Sequence, residues 1–369
     1  MTTLADIFRR HGSEYLNKYG KRILSSHRKV IRDVILCRTK HLGGCTWFCE
    51  HCRQYHYSYH SCKNRSCPQC QNEQADVWLD KQQDNILPVE YFMATFTLPE
   101  GLRRVSRSNQ KTVYPIFFQA SAQALQKLAL DPKYLGGKIG MVGVLQTWTR
   151  SLDYHPHIHY LIPGGALSPD GKKWISAKNT FLMHKKPLSI IFRAKVKDAF
   201  KKSGLFKQVS PQVWQQNWVV HIEPVGNGHA VLKYLAPYVF RIAISNRNIL
   251  DCKNGQVTFR YKDSDTGQFK TMTLNAMEFM RRYLQHVLPK GFQKVRYYGF
   301  LMSKKKKQLA EIKHLLSVQE AKTEKTVEKE FIFTCPKCGR NMILIEQSNR
   351  MRGPPLEEIL FYRKLKETA

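Results

Sequence analysis

The stretch that decides the fold is Tyr154-His155-Pro156-His157-Ile158-His159-Tyr160-Leu161-Ile162. It reads as a buried strand in which three histidines occupy alternate positions. Because successive side chains of a strand point to opposite faces, all three imidazoles would share one face, while Ile158 fills the other. A lone histidine in a strand is more often an ordinary core residue. Three imidazoles on one face favour a divalent-metal site.

The neighbouring segments predict the sheet that carries this strand. Residues 91–99 and 139–148 read as strands, and residues 114–130 read as a helix. Two adjacent antiparallel strands, preceded by a strand and a helix, predict an α+β domain with helices on one face of an antiparallel sheet. Gln146 would lie on the strand paired with the histidines. Its amide oxygen is a candidate third metal ligand, and ordinary hydrogen bonding at a strand end is the alternative.

The composition points to a polyanionic partner. The chain has 60 Lys and Arg residues against 28 Asp and Glu residues, which gives a formal charge of +32. Such an excess repels itself unless a polyanion is bound, and nucleic acid is the first candidate. A membrane surface is the rival, but no apolar run is long enough to span a bilayer, and the N-terminus has no signal-peptide pattern. We therefore expect a DNA partner, no membrane and a cytoplasmic location.

The ten cysteines predict metal ligands rather than disulfides, because a cytoplasmic compartment is reducing. Two C-x-x-C knuckles, Cys49/Cys52 and Cys67/Cys70, predict one tetrahedral zinc site. A second zinc could draw on Cys37, His41, Cys45, His60 and Cys62; free buried cysteines and surface histidines are the alternative. A later knuckle at 335–338 is half of a zinc ribbon and would need ligands from elsewhere.

The residues between the first two knuckles suggest how a zinc module would be used. Tyr55-His56-Tyr57-Ser58-Tyr59 alternates like a hairpin strand, and Lys63 and Arg65 add positive charge beside it. Zinc would hold together a small fold that has little apolar core of its own. Basic and aromatic side chains on that fold suit nucleic-acid contact. A zinc module alone does not identify an enzyme, because transcription regulators and ribosomal proteins also contain one.

Two tyrosines four residues apart, Tyr234 and Tyr238, are candidate nucleophiles. On a helix they would share one face, which usually means core packing, and Pro237 between them would kink the helix. A phenol with a pKa of about 10 is a poor nucleophile at neutral pH. It can attack phosphorus when a metal polarises the phosphate and a neighbouring group takes the proton. Together with the histidine strand, the tyrosines predict a 5′-phosphotyrosine and a free 3′-hydroxyl.

These motifs resemble those of the HUH single-strand endonucleases. His157-Ile158-His159 is similar to their His-hydrophobic-His motif, and Tyr234 with Tyr238 resembles the nucleophile pair of the two-tyrosine branch. The flanking motifs resemble, in order and over nearly the whole chain, the rolling-circle transposases of bacterial insertion sequences. They include Ser61-Cys62-Lys63-Asn64-Arg65, Pro163-Gly164-Gly165, Arg241-Ile242-Ala243-Ile244-Ser245-Asn246 and His286-Val287-Leu288-Pro289-Lys290-Gly291-Phe292.

The resemblance implies a role for each candidate residue. His157 and His159 would hold catalytic Mg²⁺ or Mn²⁺, and Tyr234 and Tyr238 would be the nucleophiles. Gln146 is a candidate third ligand from its place on the paired strand and not from the resemblance. The cysteines expected to bind structural Zn²⁺ are Cys37, Cys45, Cys49, Cys52, Cys62, Cys67 and Cys70, and the residues expected to contact DNA are Lys63, Arg65, Lys233 and Arg241. The chain departs from the family's usual histidines at Cys45, Ser66 and Gln146.

The resemblance also implies an antiparallel-sheet HUH nuclease domain preceded by a small zinc-binding domain. We expect a helical and zinc-binding DNA-binding domain at 1–85, a catalytic domain at 86–302 with an insertion near 166–230, and a basic C-terminal segment with a knuckle at 303–369. The activity would be nicking and rejoining of single-stranded DNA at insertion-sequence ends, with target DNA as a further partner, in the bacterial nucleoid. The motifs carry no information on oligomeric state.

Two other functions fit parts of the sequence. A plasmid or phage rolling-circle replication initiator would use the same metal and tyrosine chemistry. A zinc-dependent DNA-binding regulator without enzymatic activity would use the histidines and tyrosines only as core residues. The zinc module together with the C-terminal motifs favours the transposase.

Overall fold

The structure, a computed structural model, describes residues 2–70, 82–83, 85–178, 180–227, 231, 239, 242–263, 266–317, 333–349, 354, 356 and 359. The α-helices found there are α1 (Leu4–Tyr19), α2 (Ser25–Leu36), α3 (Glu100–Ser108), α4 (Gln110–Ala129), α5 (Lys185–Lys202), α6 (Ala276–Leu284) and α7 (Lys306–Leu315). Within these residues every helix is too short or too polar to traverse a lipid bilayer.

The β-strands of the same residues follow one another along the chain. They are β1 (Gly44–Cys49), β2 (Gln54–Tyr59), β3 (Glu90–Thr97), β4 (Met141–Trp148), β5 (Tyr154–Pro163), β6 (Gly165–Leu167), β7 (Trp174–Ser176), β8 (Val220–Asn227), β9 (Ile249–Lys253), β10 (Gln256–Lys262), β11 (Phe269–Asn275), β12 (Val295–Tyr298) and β13 (Ile343–Gln347). All of the pairings between them are antiparallel.

The chain forms two compact units, and each is built from several stretches. The first comprises Met1–Asn72, Ile244–Val287 and Glu320–Ala369, and the second comprises Glu73–Ala243 and Leu288–Gln319. Ile244–Val287, which the sequence division placed in the catalytic domain, is therefore grouped with the N-terminal zinc region. The functional labels of the three expected domains stay predictions.

In the first unit, α1 and α6 pack together and local caps fix their starts. Thr3 and Asp6 form a reciprocal capping box at the start of α1, which satisfies two backbone N–H groups that the helix itself leaves unpaired. Asn275 accepts from the backbone N–H of Met277 at the start of α6. The Phe8 and Tyr283 rings meet edge to face with their centroids 5.8 Å apart. Separate three-stranded sheets, β13-β1-β2 and β11-β10-β9, complete the unit.

The second unit is built on a five-stranded sheet with the order β12-β4-β5-β3-β8. One face of this sheet packs against α3, α4 and α5 in a large apolar core. Phe192 of α5 lies at its centre, with its ring 4.9 Å from Phe96 of β3 and 5.1 Å from Trp218. The predicted α+β class, an antiparallel sheet with helices on one face, is confirmed. This arrangement leaves the opposite face of β5 for the histidines.

Candidate functional site

Strand β5 presents its three histidines on one face of the central sheet, as the alternation predicted. His155, His157 and His159 are each half-buried and alternate with buried neighbours on the core side, such as Ile158. The ring centroids of His155 and His157 are 5.4 Å apart, and those of His157 and His159 are 4.9 Å apart. The shared face is confirmed. The role of these residues as metal ligands stays a prediction.

The hydrogen bonds of His157 and His159 suit metal ligation. His157 Nδ1 lies 2.7 Å from the backbone oxygen of His155. Because a carbonyl only accepts, this Nδ1 carries the proton and the lone pair of the neutral imidazole resides on Nε2. His159 Nδ1 lies 3.0 Å from the hydroxyl oxygen of Thr95 on β3. Metal-binding histidines are commonly oriented through the second ring nitrogen in this way.

His155 is held differently. Its Nδ1 lies 2.8 Å from the Arg103 guanidinium on α3. Because a guanidinium only donates, this Nδ1 must accept. Burial lowers the pKa of His155, and the positive charge of Arg103 lowers it further. His155 is therefore a neutral neighbour tied to α3, which agrees with a site formed by the other two histidines.

Gln146 lies beside the histidine pair. It faces His157 directly across the β4–β5 pairing and is only 3% exposed, and Thr97 faces His157 from the other side. Directly opposed residues of an antiparallel pair share a sheet face, so these three side chains form one row. Among the described residues, only cysteine clusters bring three or more His, Cys, Asp or Glu donor atoms within 4.8 Å. Gln146 stays the predicted third ligand.

The tyrosines Tyr234 and Tyr238 lie outside the described residues, and so do Lys233 and Arg241. Two residues that bracket them in sequence are described: Val231 and Val239 are both buried on the histidine face of the sheet. They belong to one apolar cluster with Tyr91, Met93, Val142, Val144 and Leu161. Val144 is the cross-strand partner of His159. The Lys294 ammonium also donates to the backbone oxygen of Val239 at 2.9 Å.

Three other tyrosines near the histidine strand are unsuited to nucleophilic attack. Tyr154 and Tyr114 share a hydrogen bond of 2.7 Å between their hydroxyls, and Tyr160 pairs with the Ser121 hydroxyl at 2.8 Å. All three are buried in the core between the sheet and its helices. Burial raises the pKa of each, to well above 10 for Tyr114 and Tyr160. These phenols therefore stay protonated and away from solvent.

An acid–base pair on β8 was missed by the sequence reasoning. His221 faces Thr95 across the β3–β8 pairing, so it lies on the histidine face. Its Nε2 is 3.1 Å from a Glu223 carboxylate oxygen, and its Nδ1 is 3.3 Å from the Lys185 ammonium. The sequence signal that could have revealed this pair is the alternation His221-Ile222-Glu223, which places the two polar side chains on one face of the strand. β8 lies two strands from β5, which is roughly 10 Å at ordinary strand spacing.

The cysteines form two clusters, and their membership corrects the predicted grouping. Cys37, Cys62, Cys67 and Cys70 are one cluster and Cys49, Cys52, Cys335 and Cys338 are the other; within each, the ligand atoms lie within 4.8 Å of one another. The two N-terminal knuckles therefore do not share a zinc. The reason is the β1–β2 hairpin: its turn carries one knuckle, and the other follows its open end, roughly 17 Å away at the usual rise per residue.

Other predicted members of the zinc module lie outside both clusters. Cys45 belongs to neither, and the His60 Nε2 instead lies 2.8 Å from the backbone oxygen of Ser348. The late knuckle, Cys335 with Cys338, was expected to need ligands from elsewhere, and Cys49 and Cys52 complete its cluster. Thiolate sets of four at this spacing are structural zinc sites.

The β2 strand and the residues after it carry the surface expected for DNA. Tyr55, Tyr57 and Tyr59 are 60%, 59% and 43% exposed and alternate on one face of the strand. Lys63 and Arg65 are exposed beyond its end. Exposed aromatic rings with basic neighbours are typical of surfaces that bind single strands by stacking and charge.

Comparisons with known proteins identify related chains. Residues 7–98 match the family described as "Transposase zinc-binding domain", and residues 140–308 match the family described as "Putative transposase". The chain is 36% identical to "Putative transposase y4qJ" of Sinorhizobium fredii, over 95% of this chain and 97% of the relative. It is 25% identical to "Transposase for insertion sequence element IS801" of Pseudomonas savastanoi pv. phaseolicola, over 75% of this chain and 70% of that relative. No solved structure matches the chain.

Proposed function

The chain belongs to the IS91/IS801 family of transposases, and on that basis we propose that it nicks and rejoins single-stranded DNA at insertion-sequence ends through a phosphotyrosine intermediate. One observation carries the proposal. The histidine pair and both residues that bracket the tyrosine segment, Val231 and Val239, occupy the same face of the same sheet. A metal site and a nucleophile must meet at one phosphate, and this face supports their meeting.

The metal site of the proposal consists of His157, His159 and Gln146. This set combines two imidazole nitrogens with an amide oxygen, and the oxygen is the ligand type that Mn²⁺ and Mg²⁺ prefer. When bound there, the ion would polarise the scissile phosphate and offset charge in the transition state. The Thr95 hydroxyl and the His155 carbonyl hold the two rings in place through their Nδ1 atoms.

The proposed reaction is a transesterification. The hydroxyl oxygen of Tyr234 or Tyr238 attacks phosphorus, a new O–P bond forms, and the bond between phosphorus and the 3′ oxygen breaks. The phenol proton passes to a base, and the departing 3′ oxygen takes up a proton to become a 3′-hydroxyl. His221 on this sheet face is not assigned as that base, because its Nδ1 accepts from the Lys185 ammonium and its Nε2 N–H donates to Glu223. The 5′-phosphotyrosine keeps the phosphodiester energy, so a 3′-hydroxyl can reverse the step and join strands.

The proposed DNA-binding surface is the exposed tyrosine row on β2. Residues two apart on a strand are about 6.8 Å apart, a spacing that lets splayed bases stack on successive rings. Lys63 and Arg65, which are exposed, would contact the phosphates. This surface would hold the single strand, and it carries no chemistry itself.

The competing functions are less well supported. Both relatives are named as transposases, and the zinc-binding and transposase families both match in the expected order. A rolling-circle replication initiator would share the histidine and tyrosine chemistry. A DNA-binding regulator without enzymatic activity would keep its function after substitution of His157 and His159.

A nicking assay tests the proposal. The purified full-length chain is incubated with end-labelled single-stranded oligonucleotides that carry the element ends, with Mg²⁺, Mn²⁺ or EDTA. We expect site-specific cleavage with either metal ion, none with EDTA, and much weaker cleavage of the duplex. Cleavage that persists in a His157→Ala, His159→Ala double variant would contradict the proposed site.

A further inference from the structure

We infer that the chain binds a second structural zinc whose four ligands come from opposite ends of the sequence. The ligands are Cys49 and Cys52 from the turn of the β1–β2 hairpin and Cys335 and Cys338 from the C-terminal part. This zinc fastens the C-terminal strand β13 to the hairpin. The family match for zinc binding ends at residue 98, so it does not include the second pair of ligands. The inference does not depend on the proposed nicking activity.

The sulfur positions fit a single tetrahedral ion. All four Sγ atoms lie within 4.8 Å of one another, and those of Cys49 and Cys338 are 3.6 Å apart. Zn–S bonds of about 2.3 Å place the corners of a tetrahedron roughly 3.8 Å apart. The backbone N–H of Cys52 donates to the Cys49 sulfur at 3.4 Å. Such a bond favours the charged thiolate that a metal requires.

The pairing of β13 brings the two ends of the chain together. β13 lies antiparallel to β1, with Ile343 opposite Phe48 and Gln347 opposite Cys45. Just beyond it, the Ser348 hydroxyl accepts from the backbone N–H of Gly44 at 2.7 Å. The strand therefore extends the zinc hairpin into a three-stranded sheet.

Apolar burial contributes little to holding β13. All five of its residues are exposed, including Ile345 at 55%. Among the described residues, the apolar packing near its start is a small cluster in which the Trp47 and Phe333 rings stack 5.1 Å apart and Met342 is buried. Segments with so little core commonly depend on a metal for their fold. The second zinc therefore provides the attachment of β13 that apolar burial does not.

The two zinc sites differ in exposure. Cys37, Cys62, Cys67 and Cys70 are all buried, whereas Cys52 and Cys338 in the second cluster are half-exposed. Chelators and oxidants reach exposed thiolates first. The second zinc should therefore leave first, and β13 should detach while the first cluster stays intact.

Metal content tests the inference. Zinc per chain is measured by elemental analysis in a His157→Ala, His159→Ala background, so that metal bound by the histidine pair is not counted. We expect two zinc ions per chain. A Cys335→Ser, Cys338→Ser variant should hold one, and the control variant Cys45→Ser, Cys252→Ser should hold two.

Zinc release gives a second, independent readout. With a colorimetric chelator we expect a fast and a slow phase of equal amplitude, and the fast phase should be missing in Cys335→Ser, Cys338→Ser. Limited proteolysis should then release a fragment containing β13 only in that variant or after the fast phase. One zinc in the parent protein, or two in the variant, would overturn the inference. Neither result would bear on DNA nicking, which has its own assay.

Discussion

His155 and His157 lie two residues apart on one face of β5, yet their Nδ1 atoms have opposite roles. That of His157 donates to a backbone oxygen, and that of His155 accepts from Arg103. The first arrangement orients an imidazole for metal binding, and the second ties one to a neighbouring helix. The alternation of the histidines was readable in the sequence. The bond to Arg103 was not, because it joins residues 52 positions apart.

Substitution of the histidines should separate ligands from neighbour. We predict that His157→Ala or His159→Ala lowers the metal-dependent nicking rate by at least about 100-fold, since even supporting groups of a metal site are worth about 10- to 100-fold. His155→Gln should lower the same nicking rate by less than about 10-fold. The rates are measured under single-turnover conditions, with circular dichroism to check folding. Equal losses in all three variants would count against the assigned pair.

Thr95 provides a finer test at the same scale. Removing its hydroxyl in Thr95→Val deletes the partner of His159 Nδ1, and we predict a loss of about 10- to 100-fold in nicking or in Mn²⁺ affinity. The matched control is Thr258→Val, which removes a hydroxyl that pairs with Thr273 on another sheet. The control should nick at the normal rate. If Thr95→Val does so too, the hydroxyl does not position His159.

At the scale of elements, the periodicity of the sequence predicted the strands that matter most. β3, β4 and β5 appear close to their expected bounds because each is a dense apolar run. The stretch 214–222 has a β-like composition, but β8 begins only at Val220. Trp214 and Trp218 are apolar because they fill the helical core, so their hydrophobicity did not report a strand. Apolar runs alone do not distinguish these two cases.

Pairings between distant segments could not be predicted from local pattern. β12 joins the central sheet beside β4 although about 150 residues separate them in sequence, and Cys335 meets Cys49 across an even longer interval. Motif spacing in the sequence grouped the two neighbouring knuckles, Cys49/Cys52 and Cys67/Cys70, at one zinc. The structure separates them, because one lies at the turn of the β1–β2 hairpin and the other follows its open end.

The packing of α5 on the sheet can be tested by stability. We predict that Phe192→Ala lowers the free energy of unfolding by about 3–5 kcal/mol, because a fully buried ring contacting Phe96, Phe117 and Trp218 leaves a cavity. Ile190→Ala on the same helix is the control. Ile190 is half-exposed, so Ile190→Ala should lower the free energy of unfolding by less than about 1 kcal/mol. Urea unfolding measures both, and similar values would contradict the assigned core face.

At the scale of the whole molecule, the charge of +32 and the two cysteine clusters are the dominant features. The charge predicted a polyanionic partner correctly at the coarse level, since transposases act on DNA. The net charge does not indicate which residues contact the DNA. The first unit, assembled from the N-terminal, middle and C-terminal stretches, could not be read from composition, because its grouping depends on contacts that are distant in sequence.

Salt and substitution together should separate charge from stacking in DNA binding. We predict that the dissociation constant for single-stranded DNA rises steeply with salt, with a slope of about 0.7 per phosphate contact on a log–log plot. Tyr57→Ala should weaken binding by about 1–3 kcal/mol without changing this slope, because stacking releases no counterions. Lys63→Ala should reduce the slope. Fluorescence anisotropy over a salt series measures both, and a slope unaffected by Lys63→Ala would place that contact elsewhere.

The central claim is that a tyrosine between Val231 and Val239 joins covalently to DNA under the control of the histidine pair. The most direct measurement incubates the chain with a 3′-labelled single-stranded element end and Mn²⁺, followed by denaturing electrophoresis. We predict that the label migrates with the protein, that His157→Ala abolishes the adduct, and that Tyr234→Phe with Tyr238→Phe abolishes it as well. A 5′-labelled strand should instead yield only a free, shortened fragment. An adduct that survives loss of both tyrosines, or none with any divalent metal in the unmodified protein, would contradict the account.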